Sequence, residues 1–228
     1  MRHALPAARR DQGQPVTTWH LNSDKPVYTR YAEPSSSGTA YQVLGFPDPV
    51  LRRSIAVHEA GHAMLYFASG MPLGEIHICD DLGKTPGEGG AAWVKASGRF
   101  SVPYEHYIAM CAAGERAQDR WMREQGLWTP ERAWVIERLS AHDRNLVAEC
   151  LKECRRAELG FGYTPAGGLD FAVVHRAADA ALAHLWDRVL RLAEAIDEHG
   201  HLTGPEAARY ADMTRIAVPG DQPTGAAA

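Results

Sequence analysis

The chain has 228 residues, 45% of them hydrophobic and 23% charged, with a formal net charge of -4, the make-up of one globular body with a sizeable core. The negative balance and the lack of a dense Lys/Arg run argue against a nucleic-acid footprint. No apolar stretch approaches the ~20 residues needed to cross a bilayer, and no signal-peptide core follows Arg2, Arg9 and Arg10, so a cytoplasmic protein without membrane insertion is expected.

Residues 1–48 are rich in Pro, Ser, Thr and Gln and read as an irregular arm. Short strands are conceivable there over Val16 to Leu21 or Val27 to Tyr31, before the linker-like run Glu33-Pro34-Ser35-Ser36-Ser37-Gly38. Asp48-Pro49 opens a helix through Arg52, Ile55, Val57 and Leu65 that stops at Gly70 and Pro72. Glu75 to Cys79 and Gly90 to Ala96 are strand candidates on either side of a glycine-rich loop. Val102-Pro103 starts a helix running to about Arg123, with Tyr107, Ile108, Cys111 and Ala112 on its apolar face. Thr129-Pro130-Glu131 places an N-cap before a first-turn proline, and helical periodicity then runs to about Leu159, with a break near Ser140. After glycine-rich turns at 160–168, Leu182, Leu185, Val189, Leu192 and Ile196 mark a long helix from Leu169 to Glu198. Gly200 ends it, Gly204-Pro205-Glu206 starts a short last helix, and residues 217–228 read as a disordered tail. The fold class is mainly α (α+β), with a small β-sheet next to the helix that holds His58 and His62.

Cys79, Cys111, Cys150 and Cys154 fit no zinc-ribbon spacing and read as reduced, packed thiols, although Cys150 and Cys154 lie one helical turn apart. Gly83-Lys84-Thr85 lacks the upstream glycine of a phosphate-binding loop and reads as loop. Trp121, Trp128 and Trp134 read as core or interface anchors.

The residues that carry chemistry are His58-Glu59-Ala60-Gly61-His62. In a helix, positions i and i+4 share a face, so His58 and His62 present two imidazoles to one point. Zinc accepts neutral imidazole nitrogen, and the pair fills two corners of a tetrahedron. Glu59 is placed to take a proton from water at the open side of the metal and return it to a leaving amine. The small residues Ala60, Gly61 and Ala63 allow close approach by a neighbouring element. A third protein ligand is required, and spacing alone leaves Asp143, His142, Glu115, Asp119, Glu137 and His106 as candidates.

Over residues 50–215 the chain resembles the M41 peptidases, the protease domain of the FtsH-type AAA proteases. The likeness rests on the zinc motif in Val57-His58-Glu59-Ala60-Gly61-His62-Ala63 and on the strand Pro72 through Ile78. It continues in Ala112-Ala113-Gly114-Glu115-Arg116-Ala117, in Ser140-Ala141-His142-Asp143, and in the closing Gly200-His201-Leu202-Thr203-Gly204-Pro205-Glu206. The resemblance implies a helical zincin-like peptidase domain over 49–216, with Zn2+ on His58, His62 and Asp143 and with Glu59 as general base. Asp143 has a competing reading, since Ser140-x-x-Asp143 also matches a helix-start capping arrangement. His142 is the second choice for third ligand, about 100° away around a helix.

Residues 1–49 do not read as an ATPase module and no membrane anchor is expected, which sets the chain apart from that family. Its approach to Asp143 is tryptophan-rich, where the family's is glycine-rich. The expected activity is therefore ATP-independent endopeptidase cleavage of a polypeptide, with a separate ATPase or adaptor as a conceivable partner. The alternatives are another zincin-type regulatory protease with a glutamate or histidine as third ligand, and a non-catalytic M41-like binding module.

Overall fold

The computed structural model describes residues 18–22, 27–35, 38–79, 92–96 and 101–213. The tail at 217–228, the glycine-rich loop 80–90, Gly90-Ala91 at the start of the second strand candidate, and residues 1–17 lie outside the described residues.

In chain order the elements are β1 (His20–Leu21), β2 (Tyr28–Thr29), α1 (Ala40–Leu44), α2 (Asp48–Ala68), β3 (Leu73–Ile78), β4 (Ala92–Ala96), α3 (Tyr104–Glu124), α4 (Pro130–Leu139), α5 (Ala141–Arg155), β5 (Leu159–Gly160), β6 (Leu169–Asp170), α6 (Phe171–His199), β7 (His201–Thr203) and α7 (Gly204–Tyr210). The mainly helical class with small sheets is what the sequence implied. Among the described residues no helix is long and apolar enough to cross a membrane.

Helices α2, α3 and α6 form the body. Helix α2 begins at Asp48 with proline in its first turn, where a missing N–H costs nothing. It crosses α3 at a contact built from small residues. A Cβ added at Gly61 would sit 2.6 Å from the Ala113 carbonyl oxygen and 2.7 Å from Ala117 Cβ, so only glycine permits this separation. Helix α6 opens with the Asp170 side chain accepting the Ala172 N–H at 3.0 Å. It buries Leu182, Trp186, Val189, Leu192 and Ile196, each worth roughly 1.5–3 kcal/mol of burial.

The main sheet has the order β4-β3-β7, antiparallel throughout, with Ile76 opposite both Val94 and Leu202. Ile76 and Ile78 point inward by ordinary alternation. Leu73 joins them on the buried side because the register shifts between Leu73 and Glu75. Strand β7 was not foreseen. It is three residues long, directly follows the turn at Gly200, and owes its conformation to pairing with β3.

The described part of the N-terminal segment, residues 18–22, 27–35 and 38–48, packs onto the body. β1 and β2 pair, and Asn22 accepts the indole N–H of the buried Trp134 at 2.7 Å. Helix α1, also not foreseen, is closed by a Thr39–Gln42 capping box. It buries Leu44, whose carbonyl accepts from Arg132 at 2.9 Å.

The expected helical run to Leu159 is two helices. It breaks at Ser140, and α5 ends at Arg155, where Arg156 turns left-handed (φ 52°) and releases Leu159 into β5. Trp121 and Trp134 are core residues and Trp128 is partly buried, its indole N–H donating to Asp119 at 2.9 Å. All four cysteines are free thiols, with Cys150 Sγ and Cys154 Sγ 4.0 Å apart.

Candidate metal centre

His58 and His62 leave the same face of α2, and their Nε2 atoms stand 3.0 Å apart. A carboxylate oxygen of Asp143, in the first turn of α5, lies 3.5 Å from His58 Nε2 and 3.6 Å from His62 Nε2. Among the described residues this is the one group of three or more His, Cys, Asp or Glu side chains whose ligand atoms come together. The capping reading of Asp143 does not hold. No side chain caps α5, and the Ser140 hydroxyl donates backwards to the Ile136 carbonyl at 2.9 Å.

The other sequence candidates are placed elsewhere. His142 lines the same cleft but is exposed and outside the ligand group. Glu115 and Glu137 are buried against Arg30 and Arg144, and Asp119 is held by Arg123. His106 is exposed at the start of α3.

The far side of each imidazole is fixed by α3. His62 Nδ1 faces the Met110 carbonyl oxygen at 2.8 Å, and His58 Nδ1 faces Gln118 Oε1 at 3.2 Å. The Gln118 amide is itself oriented, because its NH2 donates to the buried Ser54 hydroxyl at 2.8 Å. With the Met110 carbonyl and Gln118 Oε1 as acceptors, each Nδ1 donates and each Nε2 is left facing Asp143. The two Nε2 atoms and the Asp143 carboxylate, 3.5 and 3.6 Å apart, suit a cation between them.

That cation is a proton or a metal. For the proton, burial opposes a charge on His62, but the adjacent Asp143 outweighs it and pushes the group up to about 9. Burial likewise opposes the charge on Asp143, and His62 and His58 hold its carboxyl well below the usual range. For a metal, a triangle with sides of 3.0, 3.5 and 3.6 Å has a centre about 2.0 Å from each corner. Bonds of ~2.0–2.1 Å imply donor separations of about 3.4 Å around a tetrahedral ion and about 3.0 Å on an octahedral face. The three separations span both values, so the group is the right size for a small cation with room for further ligands.

Met110, Gly114 and Gln118 stand at i, i+4 and i+8, one stripe along α3. The first and last fix the two histidines. Gly114, between them, has no side chain because a Cβ there would strike Nε2 of His62 and lie 2.5 Å from Nε2 of His58. Sequence reading missed this stripe, although its helical spacing was visible.

Glu59 is 7% exposed and opens on the same cleft as the two histidines. Burial raises its carboxyl above the ordinary value, against the pull of His58 and His62. The cleft encloses about 940 Å³, with apolar walls from Tyr41, Ile55, Val94, Leu139 and Leu146. Cys111 also lines it, but burial raises its thiol and keeps it neutral.

Compared with known proteins, the chain matches no protein-family model and no curated protein sequence, so a functional reading stands on the convergence of His58, His62 and Asp143 beside Glu59.

Proposed function

We propose that this chain is a cytoplasmic, zinc-dependent endopeptidase of M41-like type, with Zn2+ held by His58, His62 and Asp143 and with Glu59 as general base. The observation that carries the reading is the pair of Nε2 atoms facing the Asp143 carboxylate, with the buried Glu59 at the same cleft. Bound there, zinc supplies Lewis acidity to a substrate carbonyl and makes water a better proton donor.

The chain's own residues do the rest. Glu59, less acidic than a solvated glutamate, takes a proton from the attacking water and returns it to the departing amine nitrogen. The apolar walls exclude bulk water and receive side chains on either side of the scissile bond. Strand β4 borders the cleft through Ala92, Trp93 and Val94, and among the described residues its only sheet neighbour is β3. Its other edge therefore suits antiparallel pairing with an extended polypeptide. The free thiols accord with a reducing compartment.

The test is cleavage of an unfolded protein such as casein, with and without a chelator, by wild type and Glu59→Gln. Wild type is expected to cut in a chelator-sensitive manner. Glu59→Gln should retain zinc while losing at least ~10²–10⁴-fold in rate, the usual worth of a general base. Cleavage undiminished in Glu59→Gln rejects the mechanism, and no chelator-sensitive cleavage rejects the activity.

A further inference from the structure

Arg144 follows Asp143 in α5 and points about 100° away around the helix, into the protein, where it is 4% exposed. One terminal nitrogen donates to Glu115 Oε2 at 2.8 Å and the other to the Tyr28 carbonyl. Glu115 follows Gly114, the residue that lies over both imidazoles. A single buried ion pair thus joins the residue beside Asp143 to the residue beside the histidine-facing stripe of α3.

The N-terminal segment completes this cluster. Arg30 Nη2 lies 3.5 Å from Glu115 Oε1, and Arg30 donates to both oxygens of Glu137 at 2.6 Å, from Nε and from its backbone N–H. His175 of α6 approaches Glu115 Oε1 at 3.1 Å. Two carboxylates from α3 and α4 are balanced by two guanidiniums, one on α5 and one next to β2. Buried ion clusters are a weak source of stability, and apolar replacements often do as well. What a planar, bidentate guanidinium provides is a fixed geometry.

From this arrangement we infer that Arg144 and Arg30 are positioning residues for the metal centre. The segment around β1 and β2 is a strut that acts through Glu115 and Arg144 to set where the Asp143 carboxylate stands relative to His58 and His62. The inference rests on the proposed metal-binding role of those three residues. It assigns the N-terminal segment a part in building the site.

The test is Zn2+ affinity of the full chain, measured by competition with a chromophoric chelator. Outer-shell partners of metal ligands are typically worth 10–100-fold in affinity, and Arg144→Met is expected to lose that much. The charge-balanced pair Arg30→Met with Glu137→Gln should lose about tenfold. In an Asp143→Ala background, Arg144→Met should cost less than about twofold, because its effect runs through the missing ligand. A general loosening of the fold would instead cost the same in both backgrounds.

Cobalt(II) in place of zinc gives a second readout, a weakened tetrahedral d–d band in Arg144→Met. Should that variant fail to fold, Arg144→Lys carries the test, since an ammonium cannot hold Glu115 and the Tyr28 carbonyl with one plane. It too should lose about tenfold. Wild type that takes up no Zn2+ overturns the metal reading itself. Wild type that binds, beside arginine variants that bind equally well or lose equally in both backgrounds, overturns this inference alone.

Discussion

Gly114→Ala separates the chemistry of the site from the stability of the helix that carries it. In a helix interior, alanine is favoured over glycine by about 1 kcal/mol, so α3 by itself should gain from the change. Space works against it. The new methyl would strike His62 Nε2 and lie 2.5 Å from His58 Nε2, the two atoms proposed to hold the metal. Relief requires one ring to swing away, which also gives up its Nδ1 bond to Met110 or Gln118, worth about 1 kcal/mol. Overpacking of this kind costs about 1–3 kcal/mol. The helix gain roughly offsets the lost ring hydrogen bond, so metal-free stability should fall by about 1–3 kcal/mol. The strain lands on the donors, and 1–3 kcal/mol there weakens Zn2+ binding by roughly fivefold to more than a hundredfold. Chelator competition measures the affinity, and thermal unfolding without metal measures the stability. Gly114→Ala binding Zn2+ as tightly as wild type would refute the placement of α3 over the histidines.

Two further outcomes follow from the charges. His62 sits at about 9 before metal binds, so at pH 7.5 each Zn2+ should displace about one proton, and affinity should climb with pH until about 9. Calorimetry in buffers of different ionisation enthalpy counts that proton, and finding none would contradict the coupling to Asp143. The second outcome concerns His175, where burial outweighs the nearby Glu115 and lowers the group from 6.5 to about 4. Below pH 6.5 the unfolded chain takes up a proton that the folded one refuses, so stability present at neutral pH is lost as pH falls toward 4. The loss amounts to about 2 kcal/mol between pH 7 and 5 and ~3 kcal/mol in full. His175→Gln should flatten that slope in denaturant titrations, and an unchanged slope would show that His175 is not held neutral.

Local signals made much of the scaffold legible. Asp48-Pro49 and Thr129-Pro130 start helices because a first-turn proline acts locally, joined at Thr129 by a capping hydroxyl, and α2 and α4 begin there. The same locality made His58 and His62 readable as a pair. Helix α1 had its own signal in Thr39 and Gln42, hidden in a proline- and serine-rich stretch that drew the reading toward irregular chain. Strand β7 had none, since only its partner β3 makes three residues extended. The proposed third ligand could not be chosen by spacing, because Asp143 reaches the histidines across two intervening helices. The carboxylates that competed with it, Glu115 and Glu137, are taken by Arg30 and Arg144, contacts that join distant stretches of chain and leave no periodic trace.

The most direct test of the central claim is the metal content of the purified chain, wild type beside His62→Ala and Asp143→Ala, after equilibration with Zn2+ and dialysis. The convergence of His58, His62 and Asp143 predicts one tightly held Zn2+ per chain in wild type and its loss in both variants, with each variant still folded. Wild type without zinc, or Asp143→Ala retaining it as wild type does, would contradict the account.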